Sequence, residues 1–243
     1  LERRVAERTA ELTAKNAELE AFVHSIAHDL RAPLRAIEGF SGILEEEHSA
    51  RLDDEGRRLL ARVRGGARRM DRLLRDLVEY ARAGSAGLRH ERVDLGALAR
   101  GAFEDVVPAE AREAWRFVVG DLPTARGDAA LLRVVLRHLL ANAVKYAAAG
   151  PGRSVEVRGR VEAGHVVCEV VDDGVGFDPA HAGRLFRVFE RLHAGEGDDG
   201  TGIGLAIVRR IVERHGGSVH AEGRPGQGAT FAFSLPETGE SDA

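Results

Sequence analysis

The sequence has little cysteine, few aromatic residues and no long apolar run. Cys168 is the only cysteine among 243 residues, which excludes an intramolecular disulfide framework and a metal site built from several thiolates. No stretch approaches the roughly 18 apolar residues that a membrane-spanning helix needs. Because the chain also begins at Leu1 inside a charged helical pattern, we expect a cytoplasmic piece of a longer protein, without a signal peptide.

Neither sign of charge dominates. The 35 lysine and arginine residues against 39 aspartate and glutamate residues leave a formal net charge of −4, with no long basic block. We therefore expect no nucleic-acid partner. The 44% share of hydrophobic residues is enough for buried cores, which excludes a disordered or fibrous chain.

The N-terminal segment has the alternating spacing of four and three residues that is typical of coiled-coil heptads. This spacing predicts a parallel two-stranded stalk, and a lone amphipathic surface helix is the alternative. Arg8 and Lys15 interrupt the apolar seam and weaken it. The seam positions are Leu1, Val5, Arg8, Leu12, Lys15, Leu19, Phe22 and Ile26.

A helical hairpin is expected after the stalk. The first helix should kink at Pro33 and continue through Leu44, residues 48–54 form a polar turn, and a second apolar helical face runs from Leu59 to Tyr80. One hairpin cannot close a core by itself. Two hairpins from a homodimer would form a four-helix bundle.

Beyond residues 83–87, where small residues break the helical pattern, strands rich in β-branched residues alternate with helices. The pattern predicts helices at 95–107, 128–147 and 203–215, and a β-hairpin from Ser154 to Val171 that turns at Ala163-Gly164. The fold class is therefore α plus α/β, in which a coiled-coil stalk and helical hairpin precede an α/β sandwich.

Three polar clusters in the second half suggest a ligand site. They are HLLANAVKYA at 138–147, DDGVGFD at 172–178 and GDDGTGIGLAIV at 197–208. In the second cluster, Gly174 and Gly176 let backbone approach a ligand closely while Asp172 stays available as a hydrogen-bond acceptor. An ordinary turn at the end of a strand is the alternative.

The third cluster places Gly200, Gly202 and Gly204 before a helical run, where exposed amides at a helix N-terminus can receive phosphate oxygens. The G-x-G-x-G spacing after a polar loop excludes a Rossmann fingerprint. A P-loop is excluded because the only lysines, Lys15 and Lys145, do not follow the required glycine pattern.

In the first cluster, His138, Asn142 and Tyr146 lie four residues apart on one helix face, with Lys145 beside them. An amide oxygen suits a hydrated Mg²⁺ ion, an ammonium group suits phosphate, and an aromatic ring suits stacking. This face therefore favours a nucleotide, and a solvated surface is the alternative.

Five ordered motifs resemble those of the sensor histidine kinases of two-component systems. They are SIAHDLRAPLRAI, HLLANAVKYA, DDGVGFD, LFRVFERLH and GTGIGLAIVRRIVERHGG. The resemblance implies a dimeric phosphoacceptor bundle and an ATP-binding sandwich of the kind shared with gyrase and heat-shock chaperones. The implied parts are a coiled-coil signalling helix at 1–22, a dimerisation and phosphotransfer domain at 23–83, a linker at 84–92, an ATP-binding domain at 93–236 and a tail at 237–243.

The resemblance also implies roles for individual residues. His28 would be the phosphoacceptor, and Asp29 would accept a hydrogen bond from its Nδ1. Asn142 would be a ligand of Mg²⁺, Lys145 a phosphate contact and Tyr146 an adenine-facing ring. Further residues would shape the ATP pocket and its lid: Asp172 as acceptor for the adenine amino group, Gly174, Gly176, Gly200, Gly202, Gly204, Thr230, Phe186, Phe189 and the segment from Gly195 to Gly200.

The implied function is autophosphorylation of His28 from ATP and transfer of the phosphoryl group to an aspartate of a response regulator receiver domain. An upstream sensory domain would precede Leu1. Two residues depart from the family pattern: His138 replaces the usual asparagine, and Ala32 replaces the Thr or Asn of kinases that also dephosphorylate their regulator. A phosphatase-dominant sensor and an ATP-driven clamp without kinase activity are the alternatives.

Overall fold

The structure is a computed structural model that describes residues 2–84, 87–147, 152–192 and 200–237. Several sequence predictions therefore fall wholly or partly outside the described residues. These predictions concern Leu1, the tail beyond Glu237 and most of the lid segment. They also concern Ser85 and Ala86, which lie within the predicted break in the helical pattern at residues 83–87.

The chain divides into two compact units. The first comprises Leu1–Ser85 and Gly195–Ile203, and the second comprises Ala86–Ala194 and Gly204–Ala243. Within the described residues, no helix combines the length and the apolar character that a membrane span requires.

The first unit is built on a hairpin of two long helices. Helix α1 spans Glu2–His48 and includes Pro33, a 3₁₀ turn follows at Ser49–Arg51, and helix α2 spans Asp54–Arg82. The Asp53 side chain caps α2 by accepting a hydrogen bond from a backbone N–H of its first turn. The predicted polar turn between two helices is confirmed.

The two helices pack through a narrow buried seam. Its members are small or aliphatic, namely Ala27, Leu34, Ala67, Leu74 and Val78. Ion pairs join the same helices, one between Arg68 Nε and Glu38 Oε1 at 2.8 Å and one between Arg64 and Glu45.

A second set of apolar side chains on this hairpin remains solvent-exposed. Its members are Leu19, Phe22, Ile26, Leu30, Ile37, Phe40, Ile43, Leu44, Leu59, Val63 and Met70. A set of large exposed apolar side chains on one pair of helices is typical of a protein interface. It fits a hairpin whose core is completed by a second copy.

In its described residues, the second unit contains seven strands and three α-helices. They are β1 (Glu91–Val93), α3 (Leu95–Val106), β2 (Trp115–Val119), β3 (Ala125–Gly127), α4 (Ala129–Lys145), β4 (Arg153–Glu162), β5 (His165–Asp172), α5 (Gly204–Arg214), β6 (Ser218–Gly223) and β7 (Ala229–Pro236). Strands β1 and β3 form a small antiparallel pair. The main sheet has the order β2-β4-β5-β7-β6 and is antiparallel except between β2 and β4.

The core lies between one face of the main sheet and the helices. Alternate residues of β7 are buried, as expected for a strand with one covered face. Helix α4 supplies much of the other side through Leu132, Val135, Leu136, Leu139 and Leu140. The predicted α plus α/β class is confirmed, including the hairpin of β4 and β5 with positive φ at Ala163 and Gly164.

His215 joins the end of α5 to the start of α4. Its Nδ1 donates to the Ile211 carbonyl at 2.8 Å, and its Nε2 accepts from the Asp128 backbone N–H at 3.0 Å. Asp128 in turn caps α4. Burial lowers the pKa of His215, although the hydrogen bond to Ile211 and the charge of Asp128 oppose that shift. The folded chain therefore holds this imidazole neutral.

We expect His215→Ala to lower the free energy of unfolding by about 2–4 kcal/mol, because it opens a cavity and leaves the Asp128 N–H unpaired. Thermal unfolding of the full chain measures this loss. His220→Ala is the control, since His220 is exposed. Equal melting temperatures for the two variants would contradict the role of His215.

The same group predicts a dependence on pH. As pH falls, His215 becomes protonated near its ordinary pKa of 6.5 in the unfolded chain and only at a lower pH in the folded chain. Stability contributed by neutral His215 is therefore present above pH 6.5 and is lost as pH falls below it. The His215→Ala variant should show a shallower loss of stability between neutral and mildly acidic pH.

Candidate functional site

His28 lies on α1 with its side chain in solvent. The side chain is 77% exposed, whereas its neighbour Ala27 is buried in the helical seam. Because Ala27 faces α2, the next side chain along the helix projects away from that seam. The His28 side chain is therefore accessible to solvent.

The Asp29 carboxyl lies beside the His28 ring. The Asp29 Oδ1 atom lies 3.2 Å from His28 Nδ1. This contact selects the tautomer that carries its proton on Nδ1, because a carboxylate can only accept. The Nε2 lone pair of that tautomer is free to act as a nucleophile.

The last turn of α4 carries three of the predicted ligand contacts. The Tyr146 N–H donates to the Asn142 carbonyl at 2.9 Å and ends the helix. Lys145 Nζ donates to the Tyr146 hydroxyl at 3.2 Å and lies 4.8 Å from the centroid of that ring. One helix terminus therefore groups an amide, an ammonium and an aromatic ring.

The DDGVGFD cluster at residues 172–178 packs directly against the C-terminal end of α4. The Val175 N–H donates to the Tyr146 carbonyl at 2.9 Å. A methyl group on Gly174 would lie 2.3 Å from that same carbonyl oxygen, so no larger residue fits at this position. The sequence predicted that Gly174 lets backbone approach a ligand closely, whereas the close partner in the structure is the Tyr146 carbonyl.

Gly176 has a second structural requirement. Its φ is +63°, and a methyl group there would lie within 2.8 Å of the carbonyl oxygens of Arg224 and Gly228. The loop from Arg224 to Gly228 is thus part of the same cluster, held by hydrogen bonds from Gly228 N to the Gly174 carbonyl and from Gly226 N to the Val175 carbonyl. Sequence reasoning missed this loop, although its glycines were the available signal.

Asp172 is buried at the end of β5 beside this cluster. Its Oδ1 accepts from Gly174 N at 2.9 Å and from Ala229 N at 3.3 Å. Burial raises the pKa of the carboxyl to about 6, assisted by the charge of Asp173 and opposed by the two backbone hydrogen bonds. Since both bonds use Oδ1, the Oδ2 atom remains available to accept from a ligand.

The other predicted contacts are distributed between the two units. Thr230 lies on β7 opposite Val171, and Gly204 is the first residue of α5, so both belong to the second unit. Gly200 and Gly202 belong to the first unit.

The two phenylalanines of the predicted lid region differ. Phe186 is buried, whereas Phe189 is 63% exposed and has a positive φ of 65°. An exposed aromatic residue on strained backbone is more typical of a functional position than of a core. Residues 193–199, which include most of the predicted lid from Gly195 onward, lie outside the described residues.

The described residues fit a nucleotide better than a metal held by the protein alone. Within them, no cluster of three or more histidine, cysteine or acidic side chains is arranged to hold a metal ion. Cys168 is buried, and burial raises the pKa of its thiol to about 12, so it is no thiolate ligand. In contrast, a free carboxylate oxygen, glycine backbone and an amide at one end of the sheet suit an adenine nucleotide with its own Mg²⁺.

Two family models match the chain. Residues 18–86 match the His Kinase A (phospho-acceptor) domain. Residues 127–239 match the histidine kinase-, DNA gyrase B- and HSP90-like ATPase.

Curated relatives agree with these matches. The methanogenesis regulatory histidine kinase FilI of Methanothrix harundinacea is 35% identical over 95% of this chain, which spans 26% of FilI. The adaptive-response sensory kinase SasA of a Synechococcus strain is 33% identical over 87% of this chain, which spans 57% of SasA. The chain thus covers less than two thirds of these relatives.

Solved structures show the same architecture. Full-length ShkA in complex with AMPPNP matches 91% of this chain and 47% of its own, with a TM-score of 0.63 and 30% identity. The mycobacterial sensor histidine kinase MprB matches 61% of this chain and 97% of its own, with a TM-score of 0.52 and 30% identity. The chain therefore belongs to the sensor histidine kinases, and it carries both their phospho-acceptor domain and their ATPase domain.

Proposed function

We propose that this chain is the ATP-dependent core of a protein histidine kinase that phosphorylates His28. The observation that carries the proposal is the contact between His28 Nδ1 and Asp29 Oδ1, on an exposed part of the phospho-acceptor domain. It leaves Nε2 as the nucleophile. ATP supplies the phosphoryl group.

The residues of the second unit bind and orient the nucleotide. Asp172 Oδ2 accepts from the adenine amino group, and Gly174 and Gly176 allow the close backbone packing that shapes the pocket around it. Tyr146 provides a ring beside the base, while Thr230 borders the same end of the sheet. When the nucleotide binds, the Lys145 ammonium group exchanges its contact with the Tyr146 hydroxyl for a contact with phosphate.

Asn142 is the proposed protein ligand of Mg²⁺, which lowers the charge repulsion around the phosphates when it is bound. Its side chain is partly exposed at the end of α4, as a ligand that shares the ion with water and phosphate must be. Gly204, the first residue of α5, completes the proposed phosphate contacts of the second unit through its backbone N–H group. The phosphate contacts of Gly200 and Gly202 stay predictions from the sequence.

In the chemical step, a bond forms between His28 Nε2 and the γ-phosphorus while the bond to the β,γ-bridging oxygen breaks, and ADP leaves. The proton on Nδ1 stays with the imidazole, where Asp29 balances the positive charge that develops. A carboxylate of a response regulator receiver domain then takes the phosphoryl group from Nε2.

The proposal also covers the oligomeric state, the location and the domain boundaries of the chain. The exposed apolar surface of α1 and α2 pairs with a second copy, so the working unit is a cytoplasmic homodimer. Residues 1–22 continue the bundle as a coiled-coil signalling helix from an upstream sensory domain. Residues 23–83 form the phosphotransfer domain, 84–92 the linker, 93–236 the ATP-binding domain and 237–243 the tail.

The fate of the γ-phosphate tests the proposal. Incubation of the full chain with γ-labelled ATP and Mg²⁺ should leave label on the protein that is stable to base and labile to acid, as a phosphoramidate bond is. An ATP-driven clamp would instead release inorganic phosphate and retain no label. That outcome would replace the kinase assignment by the clamp.

Ala32 predicts a low phosphatase activity. It is exposed on α1 one helical turn after His28, and its methyl group offers no hydrogen bond to a water that attacks a phosphorylated receiver. Loss of a group that positions water costs on the order of a hundredfold in rate. We expect Ala32→Thr to accelerate loss of label from a phosphorylated regulator while autophosphorylation persists. Rapid dephosphorylation by the unmodified chain would favour the phosphatase-dominant alternative.

A further inference from the structure

His138 on α4 lies close to Gly204, the first residue of α5. A methyl group built on Gly204 would lie 2.9 Å from His138 Nδ1 and 3.6 Å from two carbons of the same ring. Favourable contacts between such atoms lie near 3.5–4.0 Å. Glycine at position 204 is therefore what allows the imidazole to occupy this place, and both residues belong to the second unit.

The two residues connect the elements proposed to hold the nucleotide. His138 lies one helical turn before Asn142 and two turns before Tyr146, so it shares their face of α4. Gly204 begins α5, and the first amides of a helix have no partner inside it. The side chain at position 138 therefore lies between the Asn142 face of α4 and the first residue of α5.

We infer that His138 is a positioning residue for the phosphate groups of the nucleotide, and that it forms a size-matched pair with Gly204. Its ring holds the first turn of α5 at the distance from α4 that phosphate oxygens require. The inference rests on the proposed function, because it takes an adenine nucleotide as the ligand of this face. It assigns His138 a role through Gly204 rather than a direct chemical step.

Four variants of the full chain test the pair. They are Gly204→Ala, His138→Asn, the double variant, and Gly183→Ala as a control, because a methyl group on Gly183 meets nothing within 4 Å. Binding of ATP and of adenosine is measured for each by calorimetric or NMR titration. Adenosine serves as the second probe because it has the base without the phosphates.

Gly204→Ala should weaken ATP binding about tenfold or more, since displaced backbone N–H groups lose charge-assisted contacts to phosphate. Adenosine binding should stay within about twofold, because its contacts lie at Asp172 and Tyr146. The shorter side chain in His138→Asn leaves room for the added methyl group. The double variant should therefore regain most of the ATP affinity, and Gly183→Ala should behave as the unmodified chain.

Two results would overturn the inference. An equal loss of ATP and adenosine affinity in Gly204→Ala would show a general structural effect. The same penalty for Gly204→Ala with and without His138→Asn would show that the two residues are not paired by size. Melting temperatures of all four variants separate local misfitting from unfolding.

The kinase proposal and the inference about His138 and Gly204 are tested independently of each other. A chain that shows this binding pattern but retains no label from γ-labelled ATP would refute the kinase proposal and support the pair. A chain that retains label but shows no coupling between the two positions would do the reverse. A chain that binds neither probe would contradict both.

Discussion

Replacing His28 with glutamine is expected to abolish protein-bound phosphate from ATP. Glutamine keeps a polar side chain of similar length at an exposed position, but it has no ring nitrogen that can attack phosphorus. Because His28 is proposed to attack the bound nucleotide and not to hold it, ATP affinity should stay within about twofold of the unmodified chain. Retained label and nucleotide titration are the two measurements.

His24→Gln is the matched control for this variant. His24 is also exposed on α1, one helical turn before His28. Unlike His28, it has no carboxylate contact within the described residues, so nothing fixes its tautomer. Label retained by His28→Gln and lost by His24→Gln would show that His24, and not His28, is the phosphoacceptor, which contradicts this account.

Asp172→Asn is expected to weaken ATP binding about tenfold to a hundredfold, because a charged acceptor for the adenine amino group is replaced by an amide. The amide NH₂ cannot accept, and it would face the donor of the base. Discrimination between ATP and GTP should decline in the same variant. Competitive titration with both nucleotides measures the effect.

The same substitution should stabilise the chain in the absence of nucleotide. Burial raises the pKa of Asp172 to about 6, so the folded chain binds a proton more readily than the unfolded chain does. The buried carboxylate therefore costs stability above that pH, and the cost declines as pH falls below it. Removing the charge should add on the order of 1 kcal/mol to the free energy of unfolding at neutral pH.

A dependence of nucleotide affinity on pH follows from the same carboxyl. ATP binding by the unmodified chain should weaken as pH falls through about 6, because protonated Asp172 is a poorer acceptor. Asp173→Asn should keep this dependence but move it to lower pH, because the Asp173 charge helps to raise the pKa of Asp172 while its carboxylate accepts from Ser154 N at 3.1 and 3.0 Å. An Asp172→Asn variant that loses both stability and affinity would contradict this assignment.

The helices were predictable because their apolar spacing is long and regular. The spacing at 128–147 predicted α4 to within two residues of its observed bounds, Ala129–Lys145. Strands β1 and β3 were missed because a run of three residues carries too little periodicity to be recognised. Strand β6 was missed because Val219 is the only residue with a strong preference for strands in its six positions.

The candidate site was predictable in its residue types and not in its contacts. The glycines at 174 and 176 indicated close backbone approach, but the partners are the carbonyls of Tyr146 and Arg224, which come from distant parts of the sequence. The raised pKa of Asp172 likewise depends on its burial at the end of β5, opposite Ala229 of β7, which no local pattern reveals. Packing determines these properties.

Localising the phosphoryl group on the chain tests the central claim most directly. After incubation with ATP and Mg²⁺, digestion with trypsin under alkaline conditions yields a peptide of residues 16–31 that contains both His24 and His28. Fragmentation of this peptide in a mass spectrometer separates the two histidines. The account predicts one added phosphoryl group on His28. A phosphoryl group on His24, or on any residue outside this peptide, would contradict it.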